Sequence, residues 1–209
     1  MKKIQRLSLI NWALTVFLIF LFFKTAALKK EALTAIFTVI LFVLTSTARF
    51  FPLSLIYILC GYLFSPGKAL VIAIFGFFIN RALSYAEGYY QGENIIPQIE
   101  SRYKSILLLP SMEDKSPLFV CFASGAEIFL PSNIINIFFG AKKVNFRHYI
   151  VGSFCGSSVN LLSAVLLGIF LHFPLCDELK VMIILRVFVY AYSYYFFKKT
   201  TAIGKDKHI

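Results

Sequence analysis

Acidic residues are scarce in this chain. Ten Asp and Glu stand against 21 Lys and Arg, and charged residues of both signs make up only 15% of 209 positions. So little charge cannot cover a soluble domain in which 59% of residues are hydrophobic, 24 of them Phe, at a mean hydropathy of +0.78. An all-α integral membrane protein is expected. Cysteine is sparse and unpaired: Cys60, Cys121, Cys155 and Cys176 form no CxxC motif, so neither a disulfide framework nor a metal site is implied. His148, His172 and His208 lack ligand spacing. HExxH, GxSxG, a glycine-rich phosphate loop and a paired-carboxylate motif are all missing, which speaks against an enzyme and implies no cofactor.

The formal charge of +11 invites a nucleic-acid reading. The basic residues, however, sit at the ends of apolar runs, where cations meet anionic headgroups and set topology, and no compact basic domain remains for a nucleic acid. Counting Lys and Arg by side gives thirteen on the side of the C-terminal tail and six on the other, with Arg81 and Arg186 inside spans. The C-terminus is therefore expected in the cytoplasm of a multi-pass cell-membrane protein, and the N-terminus outside.

Five apolar runs read as transmembrane helices: Leu7–Phe23, Ala32–Ala48, Ala69–Tyr90, Tyr149–Leu171 and Val181–Phe197. Each is near the length that crosses ~30 Å of hydrocarbon. The first starts like a signal peptide, but Lys24 before Thr25-Ala26-Ala27 and the lack of an A-x-A site favour an uncleaved span. The organisation that follows is two N-terminal helices over 1–50, a core over 51–175, and a last helix with a basic tail over 179–209. Within the core, 51–66 and 118–140 are too short or too broken to span and read as re-entrant helices; 69–90 and 147–171 are spans, and 91–117 is a polar loop with a short helix.

The core repeats itself. Pro52-x8-Gly61-x14-Gly76-x3-Asn80-x7-Gly88 is answered by Pro131-x8-Gly140-x15-Gly156-x3-Asn160-x7-Gly168, with one residue of slack. One span lies between the copies, so the second copy is upside down and the two re-entrant tips oppose each other, as in inverted-repeat transporters. Gly76, Asn80, Ser84 and Gly88, and likewise Gly152, Gly156, Asn160, Ala164 and Gly168, recur every fourth residue. That spacing reads first as close helix packing through small residues, with Asn bonded across the interface.

Arg81 stands out, mid-span with Leu161 as its repeat partner. An arginine at membrane depth costs about 2.5–3.5 kcal/mol on insertion scales. A functional role is the first reading and an ion pair locking two helices the second. Glu127, the only acid from Leu118 to Leu171, is a candidate partner for Arg81 or a proton carrier. Asn133 and Asn136 flank the break at Pro131, where helix capping is the simpler role and headgroup binding the other. Arg147 lies at a membrane boundary beside Lys142 and Lys143, a topology signal that also suits a phosphate headgroup.

The stretch from Leu130 to Gly168 resembles the second half of the DedA/VTT-domain superfamily, also called the SNARE-associated Golgi protein family, and within it the bacterial Tvp-like branch. The features are Pro131 before a short helix ending in Gly140, an aromatic-basic stretch, and Gly152, Ser153 and Gly156. Pro52, Gly61, Phe64 and Arg81 agree more loosely. The resemblance implies opposed re-entrant helices and movement of lipid across the bilayer: phospholipid scrambling in eukaryotic members, recycling of undecaprenyl phosphate in some bacterial ones, with protons as a coupling ion. The chain departs from the pattern at Ser54 and Leu55, where relatives carry an acid. It departs again at Ser124-Gly125-Ala126-Glu127, where they carry an arginine, and at Gly88-Tyr89-Tyr90-Gln91-Gly92, where a G-R-x-x-G-like turn is usual. A facilitative translocator of an anionic lipid in a bacterial plasma membrane is the leading expectation. A proton-coupled small-solute carrier and a non-transporting membrane organiser are the alternatives.

Overall fold

A computed structural model describes residues 31–47, 52–102, 116–126, 131–172 and 176–205. Among the described residues the chain is all helix and turn. Helix α1 is Glu31–Thr47, α2 Leu53–Leu63, α3 Pro66–Gln91, α4 Ile96–Arg102, α5 Pro117–Ala126, α6 Ser132–Ala141, α7 Phe146–Phe170 and α8 Asp177–Lys205. The expected span over Leu7–Phe23 and the candidate Glu127 lie outside the described residues. Two of the described helices, α3 and α7, are long and apolar enough to cross a membrane.

Proline and glycine punctuate the fold. Pro52 and Pro131 stand immediately before α2 and α6, and neither helix has a side-chain cap. Pro66 opens α3 at its first turn, where its missing N–H has no intrahelical acceptor to lose. Gly92 closes α3 with φ +64°, a backbone conformation glycine adopts without strain. The polar stretch beyond forms a 3-10 turn, Gly92–Ile95, and then α4.

The slack in the repeat falls in one turn. Gly76 is the tenth residue after Pro66, and Gly156 the tenth after Phe146. Pro66 is the fifth residue after Gly61, whereas Phe146 is the sixth after Gly140. The α6–α7 turn uses its longer span to place Lys143 at φ 53° and to cap α7 with Asn145, whose side chain accepts from the Arg147 N–H at 3.0 Å. Tyr85 ties this turn down by donating its hydroxyl to the Val144 carbonyl.

Packing is reciprocal. The short helix α2 docks on α7, and the short helix α6 docks on α3. Likewise α1 packs on α3, and α5 on α7. Glycines set the close approaches. A Cβ on Gly61 would lie 2.0 Å from the Val165 carbonyl oxygen, and one on Gly168 2.0 Å from that of Ile58. At the matching crossing, a Cβ on Gly140 would lie 2.0 Å from the Tyr85 oxygen, and one on Gly88 1.9 Å from the Ile137 oxygen. Gly76 admits the Phe42 ring of α1, and Gly152 and Gly156 admit the backbone of α5. Two apolar clusters result. Phe42, Ile56, Tyr57, Phe77, Leu161 and Val165 centre one, and Tyr85, Ile134, Ile137, Phe139 and Tyr149 centre the other. The last helix, α8, packs against α7 and leaves Val181, Ile184, Val187 and Phe188 exposed.

Candidate functional site

Polar side chains gather where the two halves meet. On α3, Asn80, Arg81 and Ser84 are all buried. Arg81 is 4% exposed, and its guanidinium reaches out of its own half. Nη1 donates to Asn136 Oδ1 of α6 at 2.7 Å, and Nη2 donates to Ser157 Oγ of α7 at 2.7 Å. Ser157 in turn donates its own hydroxyl to the Gly125 carbonyl of α5 at 2.9 Å. The Arg81 guanidinium also lies 4.8 Å from the centre of the Phe77 ring, a cation–π contact. Tyr149 of α7 donates its hydroxyl to the Arg81 carbonyl at 3.2 Å.

The asparagines do other work than capping. Asn133 Nδ2 donates to the Thr45 carbonyl of α1 at 2.6 Å, and Asn136 accepts from Arg81, so neither caps α6. The expectation of capping fails because α6 starts at Ser132 behind Pro131, which puts both side chains within the helix and facing the other half. Asn80 donates to the Phe42 carbonyl at 3.1 Å, and Ser84 to the Ser46 carbonyl at 3.1 Å, both on α1. Arg147 stands apart: it is exposed in the first turn of α7.

The electrostatics of this cluster are one-sided. Among the described residues the ion pairs are Lys68–Glu31 and Lys180–Asp177, both exposed, and none involves Arg81. Among the described residues its positive charge is bonded to neutral acceptors, Asn136 and Ser157. Several buried atoms also lack a partner among the described residues: Arg81 Nε, Asn136 Nδ2, Asn80 Oδ1 and Ser153 Oγ. Two of these are N–H donors on the side chains that form the Arg81–Asn136 bond. Donors without a partner beside a cation that no described carboxylate pairs are suited to an anionic oxygen ligand.

Of the residues singled out in the sequence, the structure joins Arg81, Asn133, Asn136 and Asn80 in this cluster. It leaves Arg147 outside, and Glu127 is not among the described residues. Ser157, Tyr149, Thr45 and Gly125 were not singled out. A pair of serines directly after the glycine motif, Ser157-Ser158, was the available signal for the first of these.

The chain matches the family model of the VTT domain over residues 51–170, more than half of its length. It belongs to the DedA/VTT superfamily. It is therefore a membrane protein of the DedA type. The matched segment runs from the residue before Pro52 to the end of α7, and so contains α2, α3, α6, α7 and the Arg81 side chain with its partners Asn136 and Ser157. Among curated proteins and among solved structures, none matches the chain.

Proposed function

We propose that this VTT-domain protein moves an anionic lipid between the leaflets of its membrane, with Arg81 as the group that attracts the headgroup phosphate. One observation carries the reading. Arg81 is buried where the halves meet, and its guanidinium is bonded to Asn136 and Ser157, which are neutral. A phosphate oxygen forms a stronger, charge-assisted bond to the same fork, and guanidinium matches phosphate geometry. The reciprocal docking of α2 on α7 and α6 on α3 supports an inverted repeat with two opposed re-entrant helices. In such an arrangement the headgroup passes along the polar seam while the acyl chains stay in lipid. The bacterial plasma membrane is the proposed location, and a phospholipid or undecaprenyl phosphate the cargo.

The same bonds favour a second reading, in which Arg81 is only a tie between the halves. Leaflet exchange of labelled lipid in proteoliposomes separates the two. Phospholipid and undecaprenyl-phosphate probes would be run on wild type, Arg81→Lys and Arg81→Ala, with thermal melting recorded alongside. The transport reading expects exchange above empty liposomes, lost in Arg81→Ala and reduced in Arg81→Lys. Wild-type exchange rates in both variants would remove Arg81 from the mechanism.

A further inference from the structure

The repeat places an arginine after only one of its asparagines: Arg81 follows Asn80, whereas Leu161 follows Asn160. The last helix supplies the second cation. Arg186 of α8 donates from Nη2 to Asn160 Oδ1 and from Nη1 to Ser163 Oγ, each at 3.3 Å. It is 9% exposed, and its guanidinium lies 5.6 Å from the centre of the Tyr190 ring. The side chain thus turns into the seam with α7, near the middle of that helix, instead of stretching to a headgroup boundary.

Arg186 differs from a tight structural tie in three respects. Both of its acceptors are neutral, and among the described residues no carboxylate is paired with it. Its bonds are longer than the usual 2.7–3.2 Å for N–H···O, while those of Arg81 are 2.7 Å. The seam borders the outside of the bundle: Arg186 and Ser163 are buried, Asn160 is half-buried, and their chain neighbours Val159, Leu162, Ile183 and Val187 are exposed. A guanidinium in that setting can trade two long bonds to neutral acceptors for shorter charge-assisted ones.

Its place relative to Arg81 is specific. Ser157 accepts from Arg81 and Asn160 accepts from Arg186, and these positions are three apart on α7. Residues so spaced are neighbours on a helix surface, so the two cations address one turn of α7.

We propose that Arg186, Asn160 and Ser163 form a second binding site for an anionic phosphate headgroup, in the seam between α7 and α8 and one turn along α7 from the Ser157 that Arg81 bonds. The guanidinium and the Asn160 amide donate to the phosphate oxygens, and the exposed apolar residues of the seam take the acyl chains. A role for this site in handing the headgroup to Arg81 rests on the reading of the chain as a lipid carrier; binding alone does not.

The test is equilibrium binding of lipid to the purified full chain in mild detergent, read by native mass spectrometry. Phosphatidylglycerol is the probe, phosphatidylcholine the zwitterionic control and inorganic phosphate the competitor. Wild type is compared with Arg186→Gln and Asn160→Asp. Asn160→Asp sets a carboxylate against Arg186, which keeps the α7–α8 contact and cancels the charge. Both variants are expected to retain phosphatidylglycerol about tenfold more weakly than wild type, the loss of one charge-assisted bond. Asn160→Asp is expected to do so with an undiminished melting temperature. Unchanged phosphatidylglycerol retention in both variants would overturn the site. Displacement of the lipid by equimolar inorganic phosphate would overturn the assignment to a headgroup in favour of free phosphate. Failure of leaflet exchange in wild type would sink the carrier reading and leave the binding result standing.

Discussion

Arg81 and Asn136 are 55 residues apart in sequence and meet at 2.7 Å, Nη1 to Oδ1, across the boundary between the two halves. That bond links α3 to α6, the same pair of helices whose backbones close up at Gly88 and Gly140. The polar contact and the glycine crossing are therefore parts of one joint. The glycines bring the helices near enough for a guanidinium to reach an amide, and the apolar clusters on either side exclude water from the bond.

The glycine crossings give a stability prediction. Gly140→Ala and Gly168→Ala each push a methyl to within 2.0 Å of a backbone carbonyl that cannot step aside. Each is expected to cost about 1–3 kcal/mol or more, as overpacking does. Gly67 has nothing within 4 Å of a built Cβ, so Gly67→Ala is expected to be neutral or slightly stabilising. Thermal melting of the three variants in one detergent checks the contrast, and equal melting temperatures would count against the close crossings.

The turn between α6 and α7 gives another. Lys143 holds φ 53°, a conformation that costs an L-residue roughly 1–2 kcal/mol relative to the right-handed region. Lys143→Gly is expected to raise stability by up to about 1 kcal/mol after the backbone entropy of glycine is subtracted. A lower melting temperature for this variant would show that the lysine side chain contributes more than its backbone costs.

Equivalent positions of the repeat should respond unequally. Asn80→Ala removes the donor to the buried Phe42 carbonyl and is expected to cost about 1–3 kcal/mol. Asn160→Ala removes an acceptor from Arg186 at a half-buried seam over a 3.3 Å bond, and a smaller loss is expected. Chemical denaturation of the two variants against wild type measures the difference; an equal or reversed order would contradict the assignment of partners.

What this sequence dictates locally and what it leaves to tertiary packing divide along a physical line. The proline–glycine–asparagine spacing was legible because each of those residues answers a local need. Proline precedes a helix, glycine allows a backbone to approach, and a small-residue stripe packs. Helices α2, α3 and α7 lie at Leu53–Leu63, Pro66–Gln91 and Phe146–Phe170, where apolar runs over 51–66, 69–90 and 147–171 were expected. Partners across the fold were not legible. Asn133 and Asn136 look like caps because they follow a proline break, yet their side chains bond to α1 and α3, a choice made by tertiary packing. Arg186 carries no repeat signal, because it reaches Asn160 from a helix outside the repeat. Within the repeat only the first copy carries the arginine, and in the folded chain the second copy's asparagine meets one supplied by α8.

The most direct test of the central claim is leaflet exchange by Asn136→Asp in proteoliposomes, with melting temperature measured on the same preparation. The substitution keeps the size of the side chain and turns the Arg81 bond into an ion pair. If Arg81 works by leaving its charge free for a phosphate, exchange should fall at least about tenfold, one lost charge-assisted bond, while the melting temperature holds or rises. Exchange at the wild-type rate in this variant would contradict the account and leave Arg81 as a structural tie.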